Sequence, residues 1–242
     1  MDAALPAATV HRNKRNNFKR RTVIVPGPYH SAQVDLIDYP KYSDSNYKYK
    51  HILVMVMIFS GKAYTRALLT KNGPEVATAL DSILGSMSAG ERPRFIGSDQ
   101  GREFLVGGRA TEHYNRILKK YHIVAYPLFK PIKAPHAERF NRTLKERLER
   151  YMTEKNTKRW VNVLQRMTTN INHTVSRTTQ MAPADIDERH RAHVRRHRYK
   201  KDNSQCELKV GDIVKAILDK DRLGVKGYEQ KYVLPCLLSL FI

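Results

Sequence analysis

The stretch HILVMVMIF at positions 51–59 constrains the fold most, because it is almost wholly apolar over the length of one strand. A strand of this kind is typical of the middle of a sheet that is covered on both faces. Two covered faces require amphipathic helices on each side of the sheet, which is the layout of α/β proteins. The chain should therefore contain further strands and several amphipathic helices.

The sequence up to position 187 supplies those elements in a mixed order. Apolar patterning predicts four more strands, at 29–39, 62–69, 94–98 and 122–126. Helical spacing predicts helices from Asn72, over 111–121, from Pro135, and over 156–175. The last of these carries the only tryptophan, Trp160, on its apolar side, which indicates a core role, and the polar segment 41–50 predicts a loop. This order predicts a mixed five-stranded α/β sheet flanked by helices.

Composition indicates a polyanionic partner. The 242 residues carry a formal net charge of +21 and a pI of about 10.0. Such an excess favours nucleic acid, whose phosphates release counterions when they are neutralised, although a merely basic protein such as a ribosomal one would share it. The two cysteines, Cys206 and Cys236, form no CxxC pair, which predicts neither a disulfide framework nor a structural zinc site. No apolar run reaches the roughly 18 residues of a membrane span, so no membrane partner is expected.

Two basic segments flank the predicted domain. Lys or Arg occupies six positions of 11–21 and seven of 189–201. The first segment marks 1–22 as a basic tail, which contacts a phosphate backbone, acts as a nuclear localisation patch or is an inert linker. The second marks 188–204 as a basic linker, whose surrounding cations disfavour metal binding by its three helically spaced histidines, His190, His193 and His197.

The helix that begins at Pro135 has two distinct sides. At about 100° per residue, the apolar residues of 133–151 fall on one stripe, namely Phe140, Leu144, Leu148 and Tyr151. Glu138, Arg142 and Lys145 fall nearly opposite. Such a side is typical of a solvated helix with an i,i+4 ion pair between Glu138 and Arg142. It is equally suited to a site that combines one carboxylate with two cations.

Three carboxylates stand at positions suited to chemistry. Asp35 lies in the first strand, Asp99 follows the strand 94–98, and Glu138 lies in the first helical turn after Pro135. An Asp inside a strand is unfavourable without a reason, and strand ends are where α/β sheets place their sites. Phosphodiester chemistry can use such carboxylates to hold two divalent cations roughly 4 Å apart. Hard oxygen ligands suit Mg²⁺ or Mn²⁺. These residues can act together only if the sheet and the helix bring them together.

Three motifs in this order resemble the catalytic core of retroviral-type integrases. They are AQVDL at 32–36, SDQGREF at 98–104 and ERFNRTLK at 138–145. More closely, they are similar to the integrases of LTR retrotransposons and Maverick/Polinton elements, and the likeness spans 23–187. The resemblance implies an RNase H-like fold for this core. Short motifs within 205–242, KVGD and KGY, resemble the start of the family's SH3-like C-terminal barrel, which implies a partial SH3-like segment there.

The resemblance also implies an activity and its residues. Asp35, Asp99 and Glu138 would form a D,D,E triad that holds Mg²⁺ or Mn²⁺, in a polynucleotidyl transferase that processes element DNA ends and joins them to target DNA. Arg142 and Lys145 would contact the DNA end together with two lysines of the preceding loop, Lys130 and Lys133. The expected partners are element-end and target DNA and further copies of the chain. The expected localisation is the nucleus, otherwise the cytoplasm.

Departures from the family pattern leave other functions open. No His-His-Cys-Cys zinc module precedes the core, and the final ten residues are atypical. We therefore expect a fragment, a decayed copy or a host-retained derivative. One alternative is a catalytically inactive, transposon-derived DNA-binding protein that kept the integrase fold. Another is ribonuclease H activity on RNA–DNA hybrids, since the same fold and metals could serve it.

Overall fold

The computed structural model describes residues 23–99, 101, 103–106, 109–128, 134–199, 213–214 and 236–237. It divides into two compact units, Val23–Lys200 and a second unit made of Met1–Thr22 with Lys201–Ile242. In the second unit the described part is a short antiparallel pairing of Ile213–Val214 with Cys236–Leu237. The predicted basic tail, and the rest of the predicted SH3-like segment, lie outside the described residues.

Five strands of the first unit form one mixed sheet. In the described part of the chain the strands are β1 (Ser31–Asp38), β2 (His51–Met57), β3 (Ala63–Leu68), β4 (Phe95–Ser98), β5 (Leu105–Val106), β6 (Arg109–Ala110), β7 (Val124–Pro127), β8 (Ile213–Val214) and β9 (Cys236–Leu237). The sheet order is β3-β2-β1-β4-β7, while β5 and β6 pair separately. β1–β2 and β2–β3 are antiparallel, and β1–β4 and β4–β7 are parallel. The predicted mixed five-stranded sheet is thus confirmed.

Five α-helices flank this sheet. They are α1 (Gly73–Gly85), α2 (Glu112–Lys120), α3 (Pro135–Glu154), α4 (Leu164–Asn172) and α5 (Arg191–Arg198). Short 3₁₀ helices lie at Pro40–Asn46, Ala89–Glu91, Val161–Val163, Pro183–Asp185 and Glu188–His190. No helix in the described part of the chain is both long enough and apolar enough to cross a bilayer.

Alternate residues of β2 face two different cores, as its continuous apolar run predicts. Leu53, Met55 and Met57 pack with apolar residues of α1 and α2. Ile52, Val54 and Val56 lie on the other face and pack with α3 and α4. Because both faces are covered, every one of these side chains is nearly inaccessible to water, which stabilises the sheet through apolar burial.

The basic segment that follows the core differs from its prediction as a linker. In its described part the segment forms α5, which belongs to the compact unit that runs to Lys200. Val194 of α5 is fully buried against Ile58, Phe59 and Ile186. One apolar residue among many cations is enough to dock this helix, because its charged residues can remain in water.

The segment 156–175 also differs from its prediction as one long helix. α4 begins only at Leu164, after a 3₁₀ turn at Val161–Val163. Asn156 has a left-handed backbone, with φ of 44°, so the chain leaves α3 in a turn rather than continuing as a helix. Trp160 precedes the helix instead of lying on it, but it is fully buried, so its predicted core role is confirmed.

A buried asparagine fixes this connection. Asn46 donates from Nδ2 to the carbonyl oxygens of Tyr42 and Lys158, at 2.7 and 2.8 Å. Its Oδ1 accepts from the backbone N–H groups of Trp160 and Val161, at 2.7 and 3.0 Å. All four hydrogen bonds of the amide are therefore satisfied inside the protein. This network ties the 3₁₀ helix Pro40–Asn46, in a segment predicted as a loop, to the entry of α4.

Replacing Asn46 should destabilise the fold strongly. Asn46→Ala leaves two backbone N–H groups and two carbonyl groups without their partner, so we expect a loss of about 3 kcal/mol or more in the free energy of unfolding. Asn170→Ala, at an exposed position of α4, should change it by less than about 0.5 kcal/mol. Urea denaturation of the two variants measures the difference. Equal stabilities would contradict the network.

Candidate active site

Strand register brings Asp35 and Asp99 to neighbouring positions where β4 ends beside β1. β1 and β4 are parallel, and Val34 pairs with Ser98. Asp35 follows Val34 and Asp99 follows Ser98, so each aspartate comes directly after a member of this pair. Asp35 is partly buried, whereas Asp99 is exposed in a turn in which the Gly101 N–H donates to its Oδ1 at 3.2 Å.

Glu138 belongs to the first turn of α3, which lies against β1 near Asp35. Ala134, at the N-cap of this helix, has no side chain that could accept a hydrogen bond from the first turn. Gln33 of β1 does so instead, because its Oε1 accepts from the N–H groups of His136 and Ala137, at 2.9 and 3.4 Å. Gln33 is 2% exposed, so this cap is a buried contact between sheet and helix. It sets where α3 begins relative to β1.

A second contact between β1 and α3 involves Asp35 itself. Its Oδ2 accepts from Nδ2 of Asn141 at 2.8 Å, and its Oδ1 accepts from the N–H of Leu36 at 2.9 Å. Gln33 and Asp35 are two residues apart, so they project from the same face of β1. Together they hold two successive turns of α3, one on each side of Glu138. The Oδ1 of Asn141 is buried and has no hydrogen-bond partner in the described part of the structure.

The electrostatics of Asp35 indicate that the three carboxylates are neighbours. Burial, and after it the negative charges of Asp99 and Glu138, raise the pKa of Asp35 to about 6, although the hydrogen bonds from the Leu36 N–H and from Asn141 act in the opposite direction. Both predicted partners therefore lie within electrostatic reach of Asp35. Within the described ranges, however, no three His, Cys, Asp or Glu side chains converge closely enough to hold a metal ion. Mutual repulsion and the bond to Asn141 oppose such convergence in the free carboxylates.

The donor set nevertheless fits a hard divalent cation. Carboxylate oxygens are the ligands that Mg²⁺ and Mn²⁺ prefer, and Asp99 and Glu138 are exposed enough to be reached from solvent. A cation would offset the repulsion that raises the pKa of Asp35. The role of the three residues as metal ligands stays a prediction.

The predicted DNA-binding residues of α3 are exposed on the side that carries Glu138. Arg142 pairs weakly with Glu146, with 3.8 Å between Nε and Oε1, so the ion pair predicted between Glu138 and Arg142 is not formed. Lys145 places its ammonium 5.8 Å from the centre of the Tyr39 ring. Two further residues of the prediction, Lys130 and Lys133, lie outside the described residues.

Another pair beside Glu138 was not predicted from the sequence. Arg198 of α5 donates from Nη1 to the carbonyl oxygen of Phe59 and from Nη2 to Nδ1 of His136, the latter at 3.1 Å. A guanidinium only donates, so Nδ1 of His136 accepts and carries no proton. Burial, with the nearby charges of Arg198 and Arg139, lowers the pKa of His136 to about 4, so this ring is neutral at pH 7.

Tyr126 of β7 lies in the same row of the sheet as Gln33, two residues before Asp35. Gly97 pairs with Gln33 on one side and with Tyr126 on the other, so the three residues form one row across the sheet. A Cβ at Gly97 would lie 2.5 Å from Cζ of Tyr126, which means that the ring lies over this glycine. Burial raises the pKa of Tyr126. Any side chain at position 97 would displace the ring from this place.

The sequence carries local signals for the roles of Gln33 and Asn141. Gln33 lies two residues before Asp35 in a strand, where a buried polar residue needs a partner. Asn141 lies one turn after Glu138 on the same helix. For the contact between His136 and Arg198, which are 62 residues apart, the sequence carries no such signal.

Comparisons with known proteins agree on one fold. No family model matches the chain. A transposon-derived protein of Caenorhabditis elegans is 31% identical over 203 residues, which are 82% of this chain and 65% of that protein's length. The chain thus spans slightly less than two thirds of this curated relative.

Solved structures extend the comparison. The HTLV-2 integrase catalytic core domain, solved with magnesium in a trimeric form, matches with a TM-score of 0.52 and 21% identity, over 66% of this chain and 96% of that one. A chain of the simian T-cell lymphotropic virus intasome, solved with the PP2A regulatory subunit B56 gamma, matches with a TM-score of 0.60 and 17% identity, over 95% and 76% of the two chains. The resemblance to retroviral integrase cores is confirmed at the level of the fold, which is RNase H-like.

The cap provided by Gln33 should be needed to hold the first turn of α3. Gln33→Leu keeps the volume but leaves two N–H groups buried without an acceptor, so we expect a loss of about 1–3 kcal/mol in the free energy of unfolding. Amide hydrogen exchange at His136 and Ala137 should become faster. Asn170→Leu, which also replaces an amide by leucine but at an exposed position, is the control. Unchanged exchange at both amides in Gln33→Leu would contradict the cap.

The raised pKa of Asp35 predicts a pH dependence of stability. The folded protein binds this proton more tightly than an unfolded chain, so its stability falls as the pH rises from about 4 to about 6. Above that range the charged Asp35 destabilises the metal-free fold by about 1–3 kcal/mol. In EDTA, Asp35→Asn should therefore be more stable than the wild type at pH 7.5, and the difference should shrink towards pH 4.5. Urea denaturation across this range tests it, and a constant difference would contradict the raised pKa of Asp35.

Proposed function

We propose that this chain, whose fold is that of a retroviral integrase catalytic core, is a metal-dependent DNA polynucleotidyl transferase. It would trim the 3′ ends of an element's DNA and join them to target DNA. The observation that carries this proposal is the placement of Asp35 within electrostatic reach of both Asp99 and Glu138, where β4 ends beside β1. Neighbouring carboxylates repel one another, and a bound cation would offset that repulsion.

Asp35, Asp99 and Glu138 would hold the Mg²⁺ or Mn²⁺. When bound, such ions activate the attacking oxygen and stabilise the leaving oxygen of a phosphodiester. The chain's own residues would fix the ligands: Gln33 sets the start of α3, and Asn141 orients Asp35 by a hydrogen bond of 2.8 Å. These two contacts would hold Asp35 and the start of α3 in place before substrate binds.

Cations close to the carboxylates would position the DNA. Arg142 and Lys145 are exposed on α3, one and two turns after Glu138. The ion pair of Arg142 with Glu146 is long and exposed, so little energy opposes its exchange for a phosphate. The net charge of +21 would support phosphate contacts over a wider surface. Lys130 and Lys133 are proposed contacts on the basis of the sequence alone.

Similar proteins suggest the DNA substrate, the oligomeric state and the localisation that we propose for this chain. The relative in Caenorhabditis elegans is described as transposon-derived, and the solved relatives include an intasome and a trimeric catalytic core. We propose by analogy that this chain acts on the DNA of a transposable element, works as a homo-oligomer and enters the nucleus.

Two other functions use the same fold. A DNA-binding protein without catalysis would be consistent with the basic charge and with carboxylates that do not form a ready metal site in the described residues. A ribonuclease H acting on RNA–DNA hybrids would need the same carboxylates and metals. The three integrase-like motifs favour DNA joining over both alternatives.

Strand transfer by the full chain on model DNA ends, with Mg²⁺, tests the proposal. Asp99→Asn removes one ligand charge, so activity should fall at least about a hundredfold, while DNA affinity measured in EDTA should not fall. Asp44→Asn, at an exposed position in the 3₁₀ helix Pro40–Asn46, is the control for loss of one acidic charge and should retain activity.

Three other results of this experiment would contradict the proposal or favour another function. Full activity of Asp99→Asn would refute the triad. Salt-sensitive DNA binding by the wild type without any Mg²⁺-dependent product would favour the binding protein. Cleavage of RNA–DNA hybrids without DNA joining would favour a ribonuclease H.

A further inference from the structure

A cavity of about 290 Å³ lies beside α3, away from the carboxylates. Its walls come from α3, from the turn at Ser60 and Gly61, from the segment after α4, and from α5. On α3 the lining residues Arg139, Thr143 and Arg147 repeat every four positions, roughly 130° around the helix from the side of Glu138, Arg142 and Lys145 at 100° per residue. These three residues therefore lie on a different side of α3 from Glu138, although the cavity is also bordered by His136, which belongs to the same first helical turn as Glu138.

The lining of this cavity is cationic and contains no Asp or Glu. Three guanidinium groups border it, those of Arg139, Arg147 and Arg198. A lining of this composition has one sign of charge, and a concave surface concentrates the potential that such charges produce. At about 290 Å³ the cavity is close to the lower end of small-ligand sites, about 300–1,000 Å³.

Arg198 is the central observation, because its charge is partly buried without a carboxylate. Its guanidinium donates to the carbonyl oxygen of Phe59 and to His136, which are both neutral groups. Within the described residues it forms no salt bridge, and burial lowers the pKa of Arg198, as does the charge of Arg139 nearby. A buried cation without a counter-charge is unfavourable, and a bound anion would relieve it.

Hydroxyl groups around the same cavity can donate as well. The hydroxyls of Thr143, Thr174 and Thr179 already donate to backbone carbonyl oxygens. Those of Ser60 and Ser176 only accept, from the N–H groups of Lys62 and Thr178, so their own O–H groups have no acceptor among the described residues. These two O–H groups and the three guanidinium groups are hydrogen-bond donors of the kind from which phosphate oxygens accept.

We propose that this cavity binds a phosphate group through Arg139, Arg147 and Arg198. Arginine forks bind phosphate in bidentate fashion, and the absence of a carboxylate from the lining removes the usual competitor. The group could belong to a nucleic-acid backbone or to a free phosphate or phosphomonoester, since both present the same oxygens. This site lies beyond the proposed function, because binding here needs neither the three carboxylates nor a metal ion.

The first test measures thermal unfolding of the full chain in EDTA during titration with inorganic phosphate, against sodium chloride of equal ionic strength. Phosphate should stabilise the wild type by mass action. The double variant R139Q/R147Q, changed at surface-accessible positions and leaving Arg198 in place, should bind phosphate about tenfold or more weakly. The matched control R150Q/R159Q removes the same charge at exposed positions outside the cavity and should bind within about twofold of the wild type.

The second test measures binding of a short DNA duplex in EDTA by fluorescence anisotropy, with the same three proteins. If R139Q/R147Q loses more DNA affinity than R150Q/R159Q, the phosphate belongs to the nucleic-acid backbone, with or without detectable binding of inorganic phosphate. If only the binding of inorganic phosphate is lost selectively, the ligand is a free phosphate or phosphomonoester. If the two double variants behave alike in both tests, the proposal is overturned. Neither readout needs catalysis, so an inactive wild type would leave these outcomes unaffected.

Discussion

The contact between one face of β1 and the first two turns of α3 is the interaction on which the site depends. Gln33 accepts from two N–H groups that the helix cannot satisfy itself, and Asp35 accepts from Asn141 one turn later. Both contacts are largely removed from water, where an unsatisfied donor would be costly. The strand that carries one carboxylate thereby fixes the helix that carries another, and Glu138 lies between the two anchors.

The same contact explains the electrostatic state of the site. The third carboxylate, Asp99, comes from a strand in parallel register with β1, so the sheet itself brings it beside Asp35. Burial first, and then the negative charges of Asp99 and Glu138, raise the pKa of Asp35 to about 6. On another side of α3, three guanidinium groups border a cavity whose lining contains no acid, whereas Arg142 and Lys145 share their side of the helix with Glu138.

Local sequence patterns predicted some elements of the structure and failed for others. The apolar run in β2 predicted a strand buried on both faces, because alternate side chains must enter both cores. The stripe on α3 was equally predictable, since its apolar residues repeat with the period of the helix. The segment 156–175 was not, because Asn46, more than a hundred positions earlier, binds the N–H groups of Trp160 and Val161 that a continuous helix would have used. In α5, the basic composition predicted a linker, but the buried contacts of Val194 and Arg198 are made with residues far away in the chain.

By itself the sequence determined the mixed sheet, the amphipathic side of α3 and the three carboxylates that were candidates for one site, because periodicity, turn residues and motif order are local properties of the chain. Only the tertiary structure decided which neighbours those carboxylates have: Gln33 as the cap of α3, Asn141 as the partner of Asp35, and Arg198 beside His136. Each of these contacts joins residues at least 62 positions apart. No local propensity encodes such a pair, because it exists only once register and helix packing have brought the two side chains together.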